Sequence, residues 1–225
     1  MKPVYRVTWL SARAYYRLWH RWRVFNAGRV PRTGPVIIAA NHASYLDPAL
    51  IGSGVPRPIN YLARESLFRS PVFGWYLRAL NVVPVDRDGG GAAGLKGILD
   101  RLLNGGAVIL FPEGTRTSDG QLQPARAGIG LTVIKSNAPV VPVRVFGTFA
   151  AWSRHQALPH PRRVMVKYGE PMDFRELREE AKICSKPRLK VIYQEVADQL
   201  MAAIAKLEPV EDAPPAGVQS RSANR

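Results

Sequence analysis

With 225 residues, 46% of them hydrophobic and 22% charged, the chain has the composition of one globular domain with a single sizeable core, which excludes a fibrous or wholly disordered protein. Its one cysteine, Cys184, excludes an intrachain disulfide and any cysteine-rich metal cluster, and fits a reducing compartment. The formal net charge of +15 points to an anionic partner, whether lipid surface, nucleic acid, or acidic protein or substrate.

The first acidic residue is Asp47, so the N-terminus is a purely basic arm. Within "VYRVTWLSARAYYRLWHRWRVF", a helical projection places Arg6, Arg13, Arg17, His20 and Arg21 in one sector. Val4, Val7, Tyr15, Leu18, Trp22 and Phe25 fall on the other side. Residues 1–30 therefore read as an amphipathic basic and aromatic helix, a candidate for an anionic membrane surface. A helix docked on its own domain, with its arginines in water, is the competing reading. The arginines interrupt every candidate signal-peptide core. The longest charge-free run, Thr33 to Leu46, contains Gly34, Pro35 and His42 and falls short of the ~18 apolar residues of a span. Any membrane contact is thus expected to be peripheral, on the cytoplasmic side.

After the arm, β-branched runs alternate with helical patterns. Strands are predicted at "PVIIAA", "INYLA", "VVPV", "AVILF", "PVVPVRVF" and "RVMVKYG". Helices are predicted from Pro48, at "SPVFGWYLRAL", "GLKGILDRLL" and "GIGLTVIKS", and from Lys186 to Lys206. This rhythm predicts an α/β domain over residues 31–208, a largely parallel or mixed central sheet flanked by helices. Residues 209–225, rich in Pro, Ala, Ser and charge, read as a disordered tail.

Three stretches follow predicted strands, where such sheets place their ligands. In "NHASYLDP", Asp47–Pro48 is a strong helix N-cap signal, while His42 beside a carboxylate is the apparatus of general-base catalysis. In "FPEGTRTSDGQL", Glu113 and Arg116 flank a turn whose guanidinium could grip a phosphate; a surface ion pair is the alternative. In "VVPVDRDGGG", Arg87 is a third basic position, and no Gly-Lys-Ser/Thr follows the glycines, so no nucleotide phosphate loop is present.

Taken in this order, the blocks resemble the lysophospholipid acyltransferase family, typified by 1-acyl-glycerol-3-phosphate acyltransferases. The blocks are the His-x4-Asp of "NHASYLD", the arginine ending "VVPVDR", "FPEGTR" with its trailing "SDGQL", and the proline segment "APVVPV". The resemblance covers Pro35 to Gly147 and implies acyl transfer to oxygen, with an acyl-CoA or acyl carrier protein thioester as co-substrate and no other cofactor or metal. It makes His42 the base that deprotonates the acceptor hydroxyl and Asp47 the residue that orients it, with no covalent acyl-enzyme. It assigns Arg87, Glu113, Gly114, Thr115 and Arg116 to the acceptor and its phosphate, and Pro142 to the acyl region. The expected acceptor is a lysophospholipid, foremost lysophosphatidic acid, with another lysophospholipid or a lyso-aminolipid as the alternative.

Two positions depart from the family's habit. Asn81 stands where the second block often has glycine, and Arg64 where many relatives have lysine. Ser44 reads as a loop residue bonded to backbone rather than a nucleophile. A basic nucleic-acid-binding module is the reading from another class, but no nucleic-acid-binding signature appears and no nucleic acid is expected as a partner. A zinc hydrolase would need ligand spacing that His20, His42, His155 and His160 do not provide.

Overall fold

All five residues of strand β2, Val36–Ala40, are buried, as expected for an apolar run covered on both faces. Val36, Ile38 and Ala40 enter one core, and Ile37 and Ala39 the other, the alternation that a pleated strand imposes. The computed structural model describes residues 1–85 and 92–210. Their elements run in the order α1 (Pro3–His20), β1 (Arg23–Phe25), β2, α2 (Asp47–Gly54), β3 (Ile59–Arg64), α3 (Pro71–Ala79), β4 (Val82–Val85) and α4 (Ala92–Leu103). They continue with β5 (Ala107–Leu110), α5 (Ala127–Ser136), β6 (Val140–Phe146), α6 (Thr148–Trp152), β7 (Met165–Tyr168), α7 (Arg175–Ile183) and α8 (Lys186–Ala205).

The sheet order is β1-β7-β6-β2-β5-β3-β4. Every pairing is parallel except that of β6 with β7, so the fold is the mixed α/β sheet expected. On one face, Leu50 and Ile51 of α2 pack with Tyr16 and Trp22. On the other, Ile98 and Leu102 of α4, Ile129 and Val133 of α5, and Ile192, Val196 and Leu200 of α8 form the second core. Helices α5 and α8 approach closely at Gly130, where a Cβ would lie 1.9 Å from the carbonyl oxygen of Tyr193, a spacing only glycine allows. β1, α6 and α7 were not anticipated from sequence. β1 is only three residues long, and α7 packs few apolar side chains under a highly charged surface.

The N-terminal arm differs from its predicted form. The helix stops at His20 rather than running to residue 30, because Arg21 takes a left-handed φ of 46° and the chain turns into the sheet as β1. The faces match the projection only in part: Arg6, Arg17 and Arg21 stay exposed and Trp22 is buried, but His20 and Arg13 turn inward while Val7, Tyr15 and Leu18 turn outward. Tyr5, Tyr16 and His20 are buried; the His20 ring bonds the Tyr15 hydroxyl and the Arg162 carbonyl oxygen, both at 3.2 Å. Arg13 turns inward too, donating to the Ser53 carbonyl at 2.5 Å with its guanidinium over the Trp9 and Trp22 rings. What faces outward is an aliphatic stripe at helical spacing, Val7, Leu10, Ala14 and Leu18, with Leu18 85% exposed. The helix is therefore docked on the domain by hydrogen-bonded aromatics and presents its greasy side outward. No helix among the described residues is long and apolar enough to cross a membrane.

Two further arginines brace the fold from inside. Arg57 donates to the carbonyls of Pro31, Gly34 and Gly105, and Arg178 to those of Val133 and Ala138. Part of the net positive charge is thus used internally and is not offered to a partner.

Candidate active site

The site grows out of the register of two adjacent parallel strands. β2 pairs with β5 from Val36 against Ala107 to Ala39 against Leu110. Carried past the strand ends, that register sets His42 opposite Glu113. The His42 amide indeed donates to Glu113 Oε1 at 2.9 Å, and the His42 carbonyl accepts from the Thr117 amide at 2.8 Å. Beside them Asn41 brackets Val145 of β6, its Oδ1 accepting that residue's amide at 2.8 Å. The loops after β2 and β5 are laced together at the carboxyl ends of the central strands, the usual ligand position in such sheets.

Asp47 does not cap its own helix, as the Asp–Pro signal suggested. It is the first helical residue, and its carboxylate turns back into the preceding loop. One oxygen, Oδ2, accepts from His42 Nδ1 at 2.9 Å, from the Ala43 amide at 2.6 Å and from the Ser44 amide at 2.7 Å. The other, Oδ1, is buried without a hydrogen-bond partner among the described residues. A carboxylate only accepts, so Nδ1 carries the hydrogen and the neutral ring keeps its lone pair on Nε2. Phe111 stacks on the imidazole at 3.9 Å between ring centres and 16° between planes, fixing its tilt. Ser44 is no free nucleophile, since its Oγ donates to the Trp152 carbonyl at 2.7 Å and accepts the Leu46 amide at 3.1 Å.

Glu113 is 3% exposed, and its Oε2 has no hydrogen-bond partner among the described residues. Burial pushes its carboxyl up to about 7, against the opposing pull of the His42 and Gln123 backbone N–H groups. Between about pH 4.5 and 7 the folded chain then holds a proton that the unfolded chain has released. Stability should fall as pH rises through that window, by up to about 1.4 kcal/mol per pH unit. The Glu113→Gln variant, whose side-chain oxygen can still accept from His42, is expected to lose that slope. Urea midpoints of both proteins from pH 5 to 8 would reveal it; parallel curves would place the Glu113 titration outside this window.

Arg116 lies with its guanidinium 3.5 Å above the centre of the Tyr45 ring, and its Nη1 is buried without a hydrogen-bond partner among the described residues. Tyr45 in turn leans on Trp152, with ring centres 5.1 Å apart. A planar cation held on a ring with a donor in reserve suits a phosphate or carboxylate. Neither aromatic was singled out from sequence, because Trp152 lies far along the chain and Tyr45 is an unremarkable residue within the His-x4-Asp spacing. Gly114 turns the loop at φ 71°, where a Cβ would meet the Arg126 side chain at 3.0 Å, and Thr115 is exposed beside it.

The remaining expected residues are more scattered. Arg87 lies outside the described residues. Arg64 is exposed at the end of β3, paired in register with Val85 of β4. Asn81 adopts a φ of 60°, the left-handed conformation a glycine would favour and asparagine tolerates, so the departure at this position leaves the turn intact. Pro142 is buried in β6 opposite Ala39, against Gly169, and is not among the residues lining the cavity beside His42.

That cavity, of about 340 Å³, is walled by Ile98, Ile109, Phe111 and Ile129, with Gly114 and Arg126 near His42. Its size and apolar lining suit a flexible hydrocarbon with one reacting end. Arg126 is a third residue that the sequence did not single out; it sits outside the four motif blocks and reaches the site because its amide bonds the Pro112 carbonyl at 2.9 Å. Among the described residues no cluster of His, Cys, Asp and Glu could hold a metal ion.

Comparison with known proteins converges on one group. The Acyltransferase family profile matches residues 21–146. A 1-acyl-sn-glycerol-3-phosphate acyltransferase of Bacillus subtilis is 28% identical over 187 residues, 83% of this chain and 89% of that protein. One from Cocos nucifera is 30% identical over 147 residues, 64% of this chain but only 48% of the plant protein. The crystal structure of the 1-acyl-sn-glycerophosphate (LPA) acyltransferase, PlsC, from Thermotoga maritima superposes with a TM-score of 0.69 at 26% identity, covering 92% of this chain and 81% of that one.

Proposed function

Because the chain belongs to the acyltransferase family, we propose that it moves a fatty acyl group from an acyl thioester to the free hydroxyl of lysophosphatidic acid, forming phosphatidic acid for phospholipid synthesis. The observation that carries this reading is the His42–Asp47 pair, with the His42 Nδ1–H held by the buried carboxylate and the His42 ring lining a largely apolar cavity. His42 Nε2 takes the hydroxyl proton as the oxygen attacks the thioester carbonyl. Asp47 stabilises the imidazolium that forms. The tetrahedral intermediate then collapses, the C–S bond breaks, and the leaving thiolate of CoA or acyl carrier protein takes the proton back from His42. The cavity beside His42 houses the donor's acyl chain. Arg116, with Arg87, holds the acceptor phosphate.

The test is thiol release from acyl-CoA by the purified protein, with and without lysophosphatidic acid in mixed micelles. Acceptor-dependent release supports the reading, and none with any lysophospholipid, from either CoA or carrier-protein donors, sinks it. In the same assay Arg116→Ala is expected to raise the acceptor KM by about tenfold or more while sparing the donor KM, as loss of a charge-assisted phosphate contact would. An unmoved acceptor KM would take Arg116 out of the phosphate site.

The same reading gives the outward stripe of α1 a purpose. Val7, Leu10 and Leu18, flanked by Arg6 and Arg17, suit shallow insertion into an anionic leaflet, with the cations meeting headgroup phosphates. This is peripheral attachment to the cytoplasmic face of the cell membrane, where both substrates meet. Leu10→Glu combined with Leu18→Glu is expected to weaken sedimentation with anionic vesicles by about tenfold or more, since two apolar side chains no longer leave water. Equal sedimentation of variant and parent would show that the stripe does not touch lipid.

A further inference from the structure

We propose that the acyl chain of the lysophospholipid acceptor has a cavity of its own, between α1 and α3, separate from the one beside His42; this rests on the acyltransferase reading above and locates the apolar half of its acceptor. The second cavity has a volume of about 360 Å³ and is lined by Trp9 and Ala12 of α1, Ala49 of α2, Leu77 of α3, and the flanking Leu67 and Leu80. It stands back to back with the first, sharing Pro48 and the β3 residues Tyr61, Leu62 and Ala63 as a common wall. Pro48 directly follows Asp47, so the two apolar spaces meet next to the catalytic pair.

A reaction between an acyl thioester and a lysophospholipid brings two hydrocarbon chains to one hydroxyl–carbonyl contact, and each needs shelter from water. Tyr45 decides which chain goes where. Its ring lines the second cavity and is absent from the lining of the first. The same ring carries the guanidinium of Arg116. Arg116 itself lines neither cavity, but a phosphate held on it is joined through Tyr45 to the second, while the first runs past Phe111 and Ile129 on the far side of β3's residues. The acceptor chain belongs in the second and the donor chain in the first. Access suits an amphiphile taken from a bilayer, because the cavity lies between the helix with the outward aliphatic stripe and α3, whose Val72 and Trp75 are 78% and 60% exposed.

Narrowing the cavity should penalise long acceptors selectively. In full-length protein, Leu77→Trp on α3 and, independently, Ala12→Leu on α1 add volume from opposite walls. The KM for oleoyl lysophosphatidic acid is expected to rise about tenfold relative to that for the hexanoyl form, because the methylenes of the longer chain are denied burial. The preference among acyl-CoA donors of different length should stay that of the parent. A shift of donor preference toward shorter chains would overturn the assignment and make this the donor's cavity. Unmoved acceptor ratios in both variants would show that it holds no chain. If Leu77→Trp does not fold, as judged by its thermal transition, the smaller Ala12→Leu change carries the test. Absence of thiol release by the parent protein with every lysophospholipid is a distinct result that would remove the acyltransferase reading itself.

Discussion

His42→Ala is expected to lower kcat for acyl transfer by about 10²–10⁴, the contribution of a positioned general base, with the acceptor and donor KM values little changed. The split follows from what the imidazole touches. Its Nδ1 bonds Asp47 and its face stacks on Phe111, so what it offers the reaction is Nε2, and in the donor cavity it is one lining residue of sixteen. The bonds that tie the two loops together, His42 amide to Glu113 and Thr117 amide to the His42 carbonyl, belong to the backbone at this position and survive the substitution. A melting temperature within a few degrees of the parent's should accompany the loss. Near-parental turnover in acceptor-dependent thiol release would remove His42 from the proton transfer.

The second large effect separates two substitutions at Asp47. In many histidine–carboxylate pairs an amide replacement is damaging because it offers its NH2 to the ring and imposes the wrong tautomer. Here Oδ2 receives two backbone N–H groups as well as the ring, so an asparagine is forced to place its oxygen there and keep Nδ1 as donor. Asp47→Asn should therefore lose only the charge that stabilises the imidazolium, about 10- to 100-fold in kcat, while Asp47→Ala loses orientation too and falls about as far as His42→Ala. The asparagine variant has a cost in stability instead, because its NH2 lands where Oδ1 is buried without a partner; about 1–3 kcal/mol is expected from chemical denaturation. Equal kcat losses for the two variants would show that the loop amides do not dictate the orientation of the residue at position 47.

What was legible in the sequence was mainly what is local or repeats. The buried strand "VIIAA" announced itself by composition, and with the strand at Ala107 it set the register that pairs His42 with Glu113 across 71 positions. The motif blocks located the catalytic loop, but the structure alone explains why Asp47 is held as it is, since a capping signal looks the same whether the carboxylate turns forward into its helix or back into the loop. The α1 faces were assigned correctly for Arg6, Arg17 and Trp22 but not for His20, Arg13, Val7 and Leu18, because a projection weighs residues by polarity. The packing instead chose tyrosines, a histidine and an arginine that satisfy one another and nearby carbonyls, and left the aliphatic residues outside. Tyr45 and Trp152 were invisible for a different reason: their role exists only once Arg116 is brought over the ring.

How α1 is fastened bears on how the enzyme would meet its substrate. The helix is fixed to the body through the Tyr5 hydroxyl on the Ile59 amide, Arg13 on Ser53 and His20 on Arg162, and the chain then enters the sheet as β1. Such a mounting behaves as a bolted bracket and not as a leash. With lipid against the outer stripe, His42 would ride at a fixed height over the leaflet, leaving the vertical travel to the lysolipid, whose glycerol would have to rise to the base.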